Sequence, residues 1–155
     1  MSSKTRTRTA LAAGVLAVAL GLGATAQASA GTPRSVSGKP SDDITRIADF
    51  YGAYIDAVTD EDSGGLGEAL RSHYLTAGFQ KELTAWEEKN HADGVLRAQN
   101  VPLAWKVTGN GSTTGHTEAV ITLTWSRSST TELVVDMARD TRRIYRIAEK
   151  GIGAK

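Results

Sequence analysis

Three runs of period-two alternation constrain this chain more than any other feature of it. Apolar residues recur at every second position in Leu103/Trp105/Val107, in Ala119/Ile121/Leu123/Trp125 and in Leu133/Val135/Met137. That period belongs to a strand with one buried face. The spacing predicts strands over Val101–Thr108, Thr117–Trp125 and Thr131–Ala138, then a fourth over Arg143–Ala148, where Arg143-Ile144-Tyr145-Arg146-Ile147 alternates less clearly. Connections rich in Gly, Ser and Thr join the first three, and Gly109-Asn110-Gly111-Ser112 carries the signature of a hairpin turn. With Arg139–Arg142 as a short polar turn, the run predicts an antiparallel meander. Pro102 belongs at a strand start or edge, because it cannot donate to a ladder.

Upstream of the meander the period changes to that of helices. Ser41 follows Pro40 as an N-cap, with Asp42 and Asp43 in the first turn, where carboxylates favour the helix dipole. Ile44, Ile47, Ala48, Tyr51, Ile55 and Val58 fall on one face of a helix ending near Thr59, and Phe50 and Tyr54 lie toward the edge of that stripe. Asp60-Glu61-Asp62-Ser63-Gly64-Gly65 is a loop by composition; it lacks the alternating acidic spacing and the distant Glu of a calcium-binding EF-hand loop, so it is taken as a solvated loop. Leu66–Leu75 forms a second helix, and Thr76 caps a third that runs to about Ala92 with Phe79, Leu83 and Trp86 on one face. Helices first and sheet second define an α+β domain over 41–150, with the helices packed on a curved four-stranded antiparallel sheet.

The first thirty residues follow a different logic. Lys4, Arg6 and Arg8 precede an uncharged run from Ala10 to Ala24, and Ala28-Ser29-Ala30 supplies an A-x-A cleavage site. This is the layout of a secretory signal peptide, and without an Arg-Arg pair the general secretory route is expected. The apolar run is shorter than the roughly 20 residues that span a bilayer, so no stable membrane anchor is expected. Residues 31–40 are rich in Gly, Ser and Pro and form a flexible tether. The expected product is a secreted, extracellular protein cleaved near Ala30.

Charge and cysteine content narrow the chemistry. The chain has 18 Lys+Arg and 17 Asp+Glu; removing the three basic residues of the leader leaves 15 against 17, a net charge of −2. That balance argues against nucleic acid or an anionic membrane surface as the main partner. The chain has no cysteine, which removes disulfides, a thiol nucleophile, a lipid-modified cysteine and thiolate metal sites. The histidines His73, His91 and His116 form no i, i+4 pair of a helical metal site. No G-x-S-x-G elbow and no phosphate-binding glycine loop before a helix is present, so neither a metal nor another cofactor is called for.

The order of elements is similar to that of the nuclear transport factor two-like superfamily of cone-shaped α+β domains. The residues that carry the resemblance are the helix Asp42–Thr59 with Phe50, Tyr51 and Tyr54, the Tyr74-Leu75-Thr76 entry to the third helix, and Tyr145-Arg146-Ile147-Ala148, which resembles the Trp-Lys-Ile ending common there. The stretch Gly94–Pro102 also resembles a segment of uncharacterised secreted proteins of high-GC bacteria. The resemblance implies a pocket between the concave side of the sheet and the first helix, used by members for isomerase, dehydratase or cyclase chemistry, for ligand holding, or simply as core. It also implies a homodimer formed through the sheet.

Within such a cone, Tyr51, Tyr54, Trp105 and Trp125 are the expected ligand-binding residues, although Trp86, Trp105 and Trp125 at helical or strand spacing equally suit a core. An enzyme of this type needs an inward carboxylate or histidine. Asp136 is the weak catalytic candidate, because alternation puts it with Glu132, Val134 and Ala138, opposite Leu133, Val135 and Met137, so it points to solvent or to a partner. The leading expectation is a secreted, non-catalytic domain binding a small ligand or a partner protein. A cone-type isomerase or dehydratase stands second, and a protease inhibitor presenting loop 109–115 or 126–130 third.

Overall fold

The computed structural model describes residues 35–60 and 62–151, so the leader 1–30 and the first part of the tether lie outside the described residues. The elements below all belong to the unit that begins at Val36. They follow the order α1 (Asp43–Thr59), α2 (Leu66–Tyr74), α3 (Ala77–Asn90), β1 (Ala104–Ser112), β2 (His116–Ser126), β3 (Ser129–Ala138) and β4 (Arg143–Glu149). The four strands form one antiparallel sheet in the order β1-β2-β3-β4, and the three helices pack against it, an α+β fold with helices before strands.

Register explains why one face of the sheet is oily. Ile121 of β2 stands opposite Val107 on one side and Leu133 on the other, Leu123 stands opposite Trp105, and Val135 stands between Ala119 and Ile147. Cross-strand partners share a face. Apart from Trp105, these rows meet Ile47, Phe50, Tyr51, Tyr54 and Ile55 of α1, Leu75, and Phe79 and Leu83 of α3 in a single core. Burying one such Leu or Ile contributes roughly 1.5–3 kcal/mol, so truncating Leu133, fully buried at the centre, would cost roughly 2–5 kcal/mol.

The unclear alternation of the last strand has a physical cause. Between Asp136 and Met137 the register shifts, so that Asp136 pairs with Arg146 while Met137 pairs with Ile144. Tyr145 is the extra residue of this bulge. A bulge resets the phase of a strand, and here it turns both Ile144 and Ile147 inward although they lie three positions apart.

Element ends differ from the sequence reading in instructive ways. The N-cap of α1 is Asp42 rather than Ser41: its carboxylate accepts from the Thr45 backbone N–H at 2.7 Å. Thr76 caps α3 as expected, accepting from Phe79 N–H at 3.3 Å. The buried stripe of α1 is rotated toward Phe50 and Tyr54, which are both buried, and Val58 is left exposed. The first hairpin turn does not lie at Gly109–Ser112. Those residues belong to β1, with a bulge between Gly109 and Gly111 that Gly111 permits at φ +137°, and the turn is at Thr113–Gly115. Thr113 closes it, donating its N–H to the His116 carbonyl at 2.8 Å. Leu103 is not part of the core; it precedes β1 and is 77% exposed.

Candidate functional site

Charged residues on the apolar sides of two helices form a largely buried polar network. Arg71 of α2 is nearly buried and makes a bidentate contact with Glu87 of α3. Its Nε also donates to the Tyr54 hydroxyl at 3.1 Å, and that hydroxyl donates to Asp93 Oδ2 at 2.6 Å. The other oxygen of Asp93 accepts from Val95 and Leu96 N–H at 2.8 and 2.7 Å, while Glu87 Oε1 accepts from Gly94 N–H at 2.7 Å. Three helices and the loop 91–100 are thereby tied through one guanidinium.

The electrostatics follow from these contacts. Burial alone would lower the pKa of Arg71, but the Glu87 hydrogen bonds and the surrounding charges raise it, so the cation is held. For Glu87, burial pushes upward, yet Arg71 and the Gly94 N–H leave its carboxyl below the usual range. Burial, with Asp93 adding, pushes both Tyr51 and Tyr54 far above the usual phenol value. These groups are neutral phenols or committed ions, and the network positions a loop.

Of the four expected ligand-binding residues, Tyr51 and Tyr54 belong to the core and Trp125 packs against it, while Trp105 lies outside that cluster. Tyr54 belongs to the network, and Tyr51 is fully buried with a hydroxyl that meets no hydrogen-bond partner among the described residues. Trp125 lies half-buried against the core, donating Nε1–H to Thr131 Oγ1 at 2.9 Å. Trp105 is 39% exposed. Asp136 does lie on the face opposite the core row, but it does not reach solvent: it is 2% exposed and ion-paired to Arg146, its cross-strand partner. His73 and His91 are exposed, and His116, half-buried, contacts Thr113 Oγ1 through Nδ1 at 2.9 Å. Among the described residues, no group of three or more His, Asp or Glu is disposed to hold a metal ion.

Arg71, Glu87 and Asp93 escaped the sequence reading, although a signal existed. Glu87 follows Leu83 by four positions on the buried side of α3, and Arg71 stands beside Leu70 in α2. Opposite charges on the inward sides of two consecutive helices point to a buried pair.

Trp105 marks a groove on the other part of the surface. A volume of about 470 Å³ opens between residues 36–38, the first half of α1 and the Trp105 ring, with Ala48, Gly52 and Ala53 as its small-residue floor. Gly52 makes this possible, because a Cβ there would lie 2.9 Å from the ring. Val36, on the same groove, is fully exposed, and Leu103 stands two residues before Trp105. β1 is also an edge strand of the sheet, so among the described residues one side of its ladder is unpaired.

No family model matches the sequence, and no curated protein matches it either. Among solved structures it is similar to a protein of unknown function from Bacteroides thetaiotaomicron, at 20% identity over 68% of this chain and 88% of that one, with a TM-score of 0.53. That likeness concerns the fold.

Proposed function

We propose that this chain is an exported, non-catalytic binding domain, a member of the nuclear transport factor two-like superfamily, whose contact surface is the Trp105 groove. The observation that carries this reading is the exposure of a tryptophan on a groove where Ala48, Gly52 and Ala53 lie beside Thr45 and Asp49. Aromatic anchors in small-residue depressions are where binding energy concentrates. The occupant we favour is an extended segment of a partner protein, because the groove adjoins an open strand edge, where main-chain hydrogen bonds can add to side-chain contacts. A small ligand is the alternative. Order of elements, helices before a meander, supports the superfamily assignment.

The reading as a cone-type isomerase has less support. Asp136 is paired to Arg146 away from the core row, and none of the three histidines enters the core. The groove is tested by selecting displayed extended peptides against the full chain. Selected peptides should carry apolar residues at alternate positions and lose at least tenfold in affinity for Trp105→Asp. Enrichment of peptides that bind Trp105→Asp equally well would refute the groove. Export is tested separately by sequencing the N-terminus of protein recovered from the medium of producing cells, which should begin at Gly31; protein retained with its leader uncut would contradict it.

A further inference from the structure

A second cleft, sharing no lining residue with the groove, opens where α3 and loop 91–100 approach the end of β4. It encloses about 260 Å³ and is lined by Trp86, Arg97, Ile147, Ala148 and Glu149. Two features of Arg97 bear on this cleft. Its backbone sits at φ +55°, a left-handed conformation that side-chain-bearing residues adopt at a cost and that clusters at functional positions. Among the described residues its guanidinium also has no ion-pair partner, a state it shares with Arg46, Arg127 and Arg143, whereas Arg71, Arg139, Arg142 and Arg146 each have a carboxylate within 4 Å.

What Arg97 does touch fixes its plane. The guanidinium carbon lies 4.3 Å from the centre of the Trp86 ring, and Nη2 donates to the Ile147 carbonyl at 2.7 Å. Nε is buried and meets no acceptor among the described residues. A guanidinium has five N–H donors in a rigid fork suited to a carboxylate, and stacking on an indole holds that fork in one orientation. The acids behind it are engaged elsewhere, Glu87 with Arg71 and Asp93 with Tyr54. Among the described residues, Glu149 is the one acid that shares the cleft.

We propose that this cleft binds a small organic carboxylate with a planar apolar body, the carboxylate on the free edge of Arg97 and the body against Trp86, Ile147 and Ala148. Glu149, at the rim, disfavours a second negative charge on the ligand. The inference is independent of the Trp105 groove, and either can fail without the other.

The test is a ¹⁵N NMR titration of the full chain with benzoate, read at the Trp86 indole N–H and the Arg97 Nε–H. Benzoate should shift both signals saturably, benzamide and inorganic phosphate should bind at least tenfold more weakly, and Glu149→Gln should strengthen benzoate about threefold. Arg97→Gln should weaken it at least tenfold, with Arg97→Lys in between, since a lysine keeps the charge but not the fork. Equal binding of benzamide or phosphate, no saturable shift with benzoate, or unchanged binding by a folded Arg97→Gln variant would each overturn the proposal. The benzoate, benzamide and phosphate comparison and the Glu149→Gln arm need no substitution at Arg97, so a variant that failed to fold would leave the test decisive.

Discussion

Replacing Arg71 by methionine keeps the aliphatic stem and removes one guanidinium from the centre of the Tyr54, Glu87 and Asp93 network. Three donated hydrogen bonds are lost, and charged hydrogen bonds are each worth roughly 1.5–3 kcal/mol. Breaking a fully buried ion pair costs roughly 3–5 kcal/mol, because the partner is left charged and dry. Here the discount is set by exposure: the Glu87 and Asp93 side chains are 24% and 23% exposed, so both recover part of their hydration. The expected loss is about 2–3 kcal/mol, a fall in Tm of roughly 8–12 °C for a domain of this size. Urea unfolding followed by far-ultraviolet circular dichroism measures it, with the m-value unchanged if only stability has altered. A double-mutant cycle with Glu87→Gln should return a coupling of about 1–2 kcal/mol. A loss below about 1 kcal/mol, or effects that add within about 0.3 kcal/mol, would show that the network is ornament rather than support.

Other consequences follow from the same contacts. The depressed carboxyl of Glu87 contributes stability that is present above its unfolded value, roughly pH 4.3, and lost as pH falls through the lower folded value, so Glu87→Gln should flatten acid unfolding in that window; an unchanged acid limb would refute it. Gly94→Ala places a Cβ 2.9 Å from Glu87 Oε1 and 3.0 Å from Leu83 Cδ2, and should destabilise by about 1–3 kcal/mol in urea titration, against no loss if the loop can simply shift. Asp136→Asn keeps the shape but removes the charge facing Arg146, itself 48% exposed, and should cost about 1 kcal/mol in the same assay; stability indistinguishable from the parent would remove the structural role given to this pair. Gly52→Ala should displace the Trp105 ring, seen as a change in its indole N–H resonance, with little loss of stability because alanine is the better helix former by about 1 kcal/mol; an unmoved resonance would contradict the contact.

The fold was legible because two periodicities divide the chain. Ala119/Ile121/Leu123 and Leu133/Val135/Met137 could be buried together only as paired strands, and they are. What sequence could not convey was phase and closure. The bulge at Tyr145, which turns Ile144 and Ile147 to the same side, depends on pairing with β3 and not on local pattern. Glycines at 109 and 111 carry a turn signature, yet the sheet extends through them because the bulge accommodates the extra residue. The site was less legible still. Tyr54 was singled out as an edge aromatic, but its hydroxyl is buried because Arg71 and Asp93, distant in sequence, converge on it. Trp105 and Trp125 share a strand period and differ in exposure, since Trp125 packs on the core while Trp105 closes on Gly52 at the margin of the helix layer.

The central functional claim concerns Trp105, and its own emission tests that most directly. In a chain carrying Trp86→Phe and Trp125→Phe, Trp105 is the sole tryptophan. On addition of a peptide selected against the full chain, its emission should shift to the blue and become protected from iodide quenching, as an exposed ring would on being covered. Tight binding of that peptide with the emission and quenching of Trp105 unchanged would contradict the account.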